Sequence, residues 1–300
     1  ARAAKKAGMR ALVGEVLYDF PSPNYGPPEK GLIYTQELIQ RWQGDPLISV
    51  MVEPHALFTC SPRLLKDAKD IAERYNTPLI IHLSETKNEV EEVIKRYGKT
   101  PVCHLNDIGL LDDRLIAIHC VNLTPYDMGL LGERDVKVVH CPQSNMKLAS
   151  GIAPIPHLLE KGVTLSLGTD GPASNNDLDM FQEMDTAAKL HKFHAQDPMV
   201  MNAKQVVRMA TIEGAKTLGL EIHMGSIEEG KKADIIIVDL NSPHLIPLYD
   251  LYSHLVYAAD GSDVITSIIN GKIIMKDRNI LTFDIKEAIE RVNQFSQMIN

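Results

Sequence analysis

The chain has 300 residues, 44% of them hydrophobic and 23% charged, which leaves room for one large domain and a small appendage. A formal net charge of −8 argues against a nucleic-acid-binding surface, which would be basic. No apolar run approaches the roughly 18 residues that a membrane span needs, and the opening ARAAKKAGMRA lacks the apolar core of a signal peptide.

That opening reads as the second half of an amphipathic helix. Short β-branched runs then alternate with helical periodicity to about residue 215: ALVGEVLYDF (11–20), LISVMVEP (47–54), PLIIHL (78–83), LIAIHC (115–120), VKVVHC (136–141) and VTLSLGTD (163–170). Amphipathic stretches such as PRLLKDAKDIAERY (62–75) and NEVEEVIKRYG (88–98) lie between them. Strands that are apolar nearly throughout, each followed by a helix, predict a parallel sheet covered on both faces. Turn signals at Gly8, Asp45-Pro46, Thr77-Pro78, Gly132 and Gly162 mark the returns to the next strand. After residue 220 the runs MGSIEEGKKADIIIVDL and VITSIINGKIIMKD predict short antiparallel strands, and DIKEAIERVNQFSQMI predicts a final helix. The expected division is therefore a barrel over 1–220 and part of a small β-sandwich plus the helix over 221–300. The four cysteines form no CxxC pair, so they are read as reduced thiols in a cytoplasmic protein.

Polar residues gather just after the strand cores: His55, His82, His119, His140 and Asp170. In a (β/α)₈ barrel the C-terminal strand ends share one rim, and chemistry collects there. A doubly wound sheet would instead carry a Gly-rich turn beside its switch point, and no GxGxxG follows any of these strands. The fold class predicted is α/β, a (β/α)₈ TIM-type barrel with about six of its eight strands present. The helical fragment at 1–8 places the other two upstream.

His82 is followed three residues later by Glu85, a metal-ligand type beside a carboxylate able to exchange protons. Asp170, in Gly168-Thr169-Asp170-Gly171, can ligate a metal with one oxygen and take a proton with the other, although Asp-Gly alone reads as a turn. His119 and His55, each taken singly, fit buried structural histidines. Four such groups on the strand ends of one barrel form a constellation.

The strings EPHALFTCSP (53–62), IHLSET (81–86), IHC (118–120), HCPQSNMKLASGIAP (140–154) and GTDGPASNN (168–176) resemble the amidohydrolase superfamily. MATIEGAKTLGL (209–220) and GSIEEGKKADIIIVDL (225–240) do so too. The likeness is greatest to its deaminases of S-adenosylhomocysteine and 5′-methylthioadenosine. It implies one divalent metal, Zn2+ or alternatively Fe2+, with His82 and Asp170 as ligands. It further implies that Glu85 protonates the purine ring and that His119 polarises the attacking oxygen. His55 then contacts the nucleoside, and Ser174 lies near the ring or its leaving amine. Lys30, 25 residues before His55 in what reads as a loop, takes the place of a basic residue for the substrate's carboxylate. The partner implied is a small-molecule nucleoside, with homo-oligomerisation left open.

One departure is large. The family's other two ligands form a His-x-His motif on the first barrel strand, and none occurs in these 300 residues. Three explanations stand: a fragment, completion by another chain, or a non-catalytic relative. The intact rim favours the fragment, which alone is expected to be nearly inactive and to bind metal weakly. Two other functions stay open: a guanine, cytosine or triazine hydrolase on the same barrel, and a metal-free binding or scaffold protein.

Overall fold

The computed structural model describes residues 1–299. A short helix, Arg2–Ala7, ends at Gly8 in the left-handed region (φ 74°) and leads into the first strand. The first apolar run forms two strands, β1 (Ala11–Val13) and β2 (Val16–Leu17), and the second forms β3 (Ile48–Val50) and β4 (Glu53–Pro54). β1 pairs with β3 and β2 with β4, both parallel. The interruption has a local cause at Gly14. A Cβ there would lie 2.4 Å from Glu53 Oε2, so the Glu53 side chain crosses where only glycine leaves space.

The next four runs form β5 (Leu79–Leu83), β6 (Leu115–His119), β7 (Lys137–His140) and β8 (Thr164–Leu167), paired in that order and all parallel. A parallel bridge between Val52 and Leu79 joins the two groups. Among the described residues no pairing links β8 back to β1, so the six strand steps form an open arc of a barrel. Helices between the strands start at caps that their sequence supplies. Ser61, Thr86, Thr100 and Thr124 each accept a first-turn N–H, and all but Thr86 precede a proline.

The arc has two apolar layers, set by strand alternation. Ile81, Leu83, Leu115, Ala117, Val138 and Leu165 belong to the main core with Leu65, Leu105, Leu131 and Leu158 from the helices. Ile116 and Ile118, with Ile80 and Val139 against them, form a small cluster on the opposite, concave face. His82 has the same parity as Ile80.

The C-terminal part is a four-stranded antiparallel sheet in the order β12-β11-β10-β9, from β9 (Ile235–Val238), β10 (Val264–Ile269), β11 (Lys272–Lys276) and β12 (Asn279–Ile280). Between β9 and β10 the chain returns to the barrel side. Leu245 and, from helix Leu251–Tyr257, Val256 are fully buried in the main core. Arg10 beside β1 pairs with Asp234 beside β9, tying the sheet to the arc (Nη2 to Oδ1, 3.1 Å). The helix Ile285–Ile299 follows. Among the described residues no helix is long and apolar enough to cross a membrane.

Candidate active site

Because β4 to β8 run parallel, His55, His82, His119 and Asp170 reach one rim. The strand ends there leave the extended conformation. Ser84 (φ 53°), His119 (φ 73°), Cys120 (φ 50°) and Asp170 (φ 61°) all lie in the left-handed region, which L-residues adopt at a cost and which clusters at functional sites. For His119 the consequence is direct. Alternation would put it with Leu115 and Ala117 on the helix side, yet its ring stacks beside His82 with centroids 5.5 Å apart.

One donor atom from each of His82, His119 and Asp170 lies within 4.8 Å of the others. Both imidazoles are oriented through Nδ1. His82 Nδ1 donates to the His55 carbonyl at 3.0 Å, and His119 Nδ1 donates to Asn145 Oδ1 at 2.9 Å. In the neutral ring each Nε2 then carries the lone pair. Asp170 Oδ2 accepts from Ser144 Oγ at 2.7 Å and Ser174 Oγ at 2.6 Å, while Oδ1 accepts from the Gly171 N–H at 2.7 Å. Burial pushes the Asp170 carboxyl up, but the two hydroxyls, the N–H and nearby His119 outweigh it and hold the group below its usual range. Burial, followed by the His82 charge, lowers His55; for His119 burial also dominates, against the opposing pull of Glu85.

Glu85 Oε2 lies 3.8 Å from His119 Nε2, and its Oε1 accepts from Ser150 Oγ at 3.2 Å. The turn carrying Glu85 is built by Glu89, a buried carboxyl that accepts the N–H groups of Ser84 and Glu85 at 3.0 and 2.7 Å. His55 hydrogen-bonds Thr59 through Nδ1 and lies among aromatic rings, 5.1 Å from Tyr18 and 5.7 Å from Phe58.

Ser174 lies at the rim, where its Oγ donates to Asp170. Two sequence-based placements come out differently. Lys30 is not in a loop: it occupies the first turn of helix Glu29–Trp42, exposed, with no side-chain partner among the described residues. His140, although at a strand end, shares the parity of Val138 and faces the helix layer, where its Nε2 meets His191 Nε2 at 3.0 Å. Sequence reasoning gave no role to Ser144, Asn145, Ser150 or Glu89. Ser144, Asn145 and Ser150 lie in the string from 140 to 154, but nothing local distinguishes a polar residue facing a rim from one forming a turn.

Comparison with known proteins identifies the family. The family model described as "Amidohydrolase family" matches residues 1–274. This chain belongs to the amidohydrolase family. A 5-methylthioadenosine/S-adenosylhomocysteine deaminase of Syntrophobacter fumaroxidans is 58% identical over 299 residues, covering 100% of this amidohydrolase chain and 68% of that protein. A protein of the same description from Syntrophus aciditrophicus is 52% identical, again with 68% of its length covered. Among solved structures, an adenosine deaminase from Xanthomonas campestris with bound zinc superposes with a TM-score of 0.97 at 40% identity, covering 100% of this chain and 68% of that one. An atrazine chlorohydrolase from Arthrobacter aurescens complexed with zinc shares the fold (TM-score 0.91, 21% identity, 98% of this chain and 67% of that one). This amidohydrolase chain thus spans about two thirds of the length of its relatives.

Proposed function

We propose that the protein is a metal-dependent hydrolytic deaminase of adenosine derivatives. It converts S-adenosylhomocysteine, 5′-methylthioadenosine or adenosine to the inosine analogue and ammonia. The names of the relatives at 58% and 52% identity support the substrate class. The observation that carries the chemistry is the meeting of His82, His119 and Asp170 within 4.8 Å, with the Glu85 carboxylate 3.8 Å from His119.

His82, whose Nδ1 proton is already committed, and the ionised Asp170 carboxylate are donors suited to zinc. Ferrous iron accepts the same donors. We assign His82 and Asp170 to hold the ion. Such an ion, when bound, lowers the pKa of water to about 7 and so makes a nucleophile available at neutral pH. The residues then divide the proton work. His119 Nε2 holds and polarises the water that attacks C6 of the adenine ring. Glu85 takes one proton of that water and delivers it to ring N1. Asp170 takes the other and passes it to the departing ammonia. Each carboxyl thus carries one proton from the reacting oxygen to a ring or leaving nitrogen. His55, with Tyr18 and Phe58 beside it, contacts the nucleoside. Ser174 keeps Asp170 oriented next to the leaving amine, and Lys30 meets the amino-acid carboxylate of S-adenosylhomocysteine.

The test is Glu85→Gln in protein expressed from its complete reading frame. It should keep zinc and lose about 10²–10⁴-fold in kcat, because the amide preserves shape and removes the proton carrier. His82→Ala should lose zinc as well. Equal zinc loss in both variants would make Glu85 a ligand or a support and end the assignment.

A further inference from the structure

Glu183 is completely buried, yet the scheme above gives it no task. It lies in the first turn of helix Met180–Ala195, and its two oxygens face different segments. Oε1 accepts from Asn175 Nδ2 at 2.6 Å, and Oε2 accepts from the Gln143 N–H at 3.3 Å. Asn175 Nδ2 also donates to the Thr169 carbonyl at 2.7 Å, directly before Asp170. Gln143 directly precedes Ser144, which donates to Asp170, and Asn145, which orients His119. One carboxyl group therefore joins the loop after β8 to the helical turn after β7. These are the two segments that fix Asp170 and His119.

We infer that Glu183 is a positioning residue for the amidohydrolase centre, bracing both segments so that Asp170 and His119 hold their relative placement. The inference rests on the functional reading above. Both partners of Glu183 are donors, so above pH about 7, where Glu183 is ionised, its two acceptor oxygens satisfy them together. In Glu183→Gln one acceptor becomes an NH₂ that faces an N–H donor inside a sealed site. A buried conflict of that kind is relieved by backbone movement.

Four proteins expressed from the complete reading frame test this: wild type, Glu183→Gln, Glu183→Asp and Met184→Ala. The last opens a cavity on the same helix and leaves the hydrogen-bonding groups of Glu183, Gln143 and Asn175 in place. Amide hydrogen exchange is read first in the metal-free state. Glu183→Gln should speed exchange at least tenfold in residues 143–145 and 169–176 together, whereas Met184→Ala, comparably destabilised, should not single out those segments. Zinc affinity, measured by competition with a chromophoric chelator, should fall about 10–100-fold in Glu183→Gln, as supporting groups behind metal ligands typically show. kcat should fall with little change in KM. Glu183→Asp, which keeps two acceptor oxygens, should recover part of both losses. Exchange, affinity and kcat that track stability alone, with Glu183→Gln matching Met184→Ala, would overturn the inference. A wild-type protein that binds no zinc would instead refute the functional reading, while the exchange comparison would still decide whether Glu183 braces the two segments.

Discussion

Asn145 offers a sharp test, because its one hydrogen bond to the site decides which nitrogen of His119 carries the proton. Both side chains are about 1% exposed, and Asn145 Oδ1 accepts from His119 Nδ1 at 2.9 Å. Replacing Asn145 with leucine keeps the bulk and removes the acceptor, leaving a buried N–H unpaired at a cost of about 1–3 kcal/mol. At 1.4 kcal/mol per tenfold, the balance between the two tautomers shifts by roughly 5–150-fold toward the form protonated on Nε2. That form is further favoured by the neighbouring Glu85 carboxylate, whose Oε2 lies 3.8 Å from Nε2. His119 then presents a donor where the scheme needs a lone pair. The prediction is a fall in kcat of about 10–100-fold with zinc content unchanged, because the Asn145 side chain hydrogen-bonds His119 and not His82 or Asp170. Steady-state ammonia release, zinc by atomic emission and ¹⁵N imidazole shifts supply the three readouts. A kcat within twofold of wild type at full zinc, or a fall in kcat with an unchanged tautomer, would refute the reasoning.

Other outcomes follow from the same geometry. Lys30→Met should weaken S-adenosylhomocysteine relative to 5′-methylthioadenosine by about fivefold at low salt, as loss of a partly exposed ion pair implies; a uniform loss on both substrates would return Lys30 to a structural role. Glu183 is held up to about 7 by burial first, with Asp177 and Asp170 adding to it against the Gln143 N–H and Asn175. The folded state therefore binds the extra proton, so this group's contribution falls as pH rises from about 4.5 to 7 and is flat above, by about 3 kcal/mol. In urea melts of the metal-free protein, that slope should separate wild type from Glu183→Gln, and parallel profiles would contradict it. His191, pushed down to about 4 by burial and then the His194 charge, works in the opposite sense. Its stabilisation is complete above pH about 6.5 and lost as pH falls toward 4, a slope that His140→Leu/His191→Leu should remove. Leu115→Ala, at a fully buried strand position, should cost about 2–5 kcal/mol in the same melts.

The sequence was most readable where one physical pattern dominated. The runs at 78–83, 115–120, 136–141 and 163–170 are apolar because both faces of β5–β8 are covered, and each strand lies within its run. The runs at 11–20 and 47–54 did not disclose their breaks, since the cause is the Glu53 side chain crossing Gly14, a contact between residues 39 apart. The rim was legible as a set of strand-end polar residues, but not the direction each one faces. His140 and His119 look alike in sequence. Alternation sends the first to His191, and a left-handed backbone brings the second to His82. Lys30 could have been placed correctly, because Pro27-Pro28 before an amphipathic stretch is a helix-start signal as much as a loop signal. The supports Asn145, Ser144 and Glu183 act through contacts 26 to 40 residues apart in the chain, which no local pattern carries.

The proposed deamination depends on a divalent ion held by His82 and Asp170. The most direct measurement follows ammonia release from 5′-methylthioadenosine by protein from the complete reading frame, before and after exhaustive chelation, after zinc is returned, and in His82→Ala. The expected result is turnover with stoichiometric zinc, loss on chelation, recovery with zinc, and neither zinc nor turnover in His82→Ala. Ammonia release that survives chelation, or that persists at the wild-type rate in His82→Ala, would contradict it.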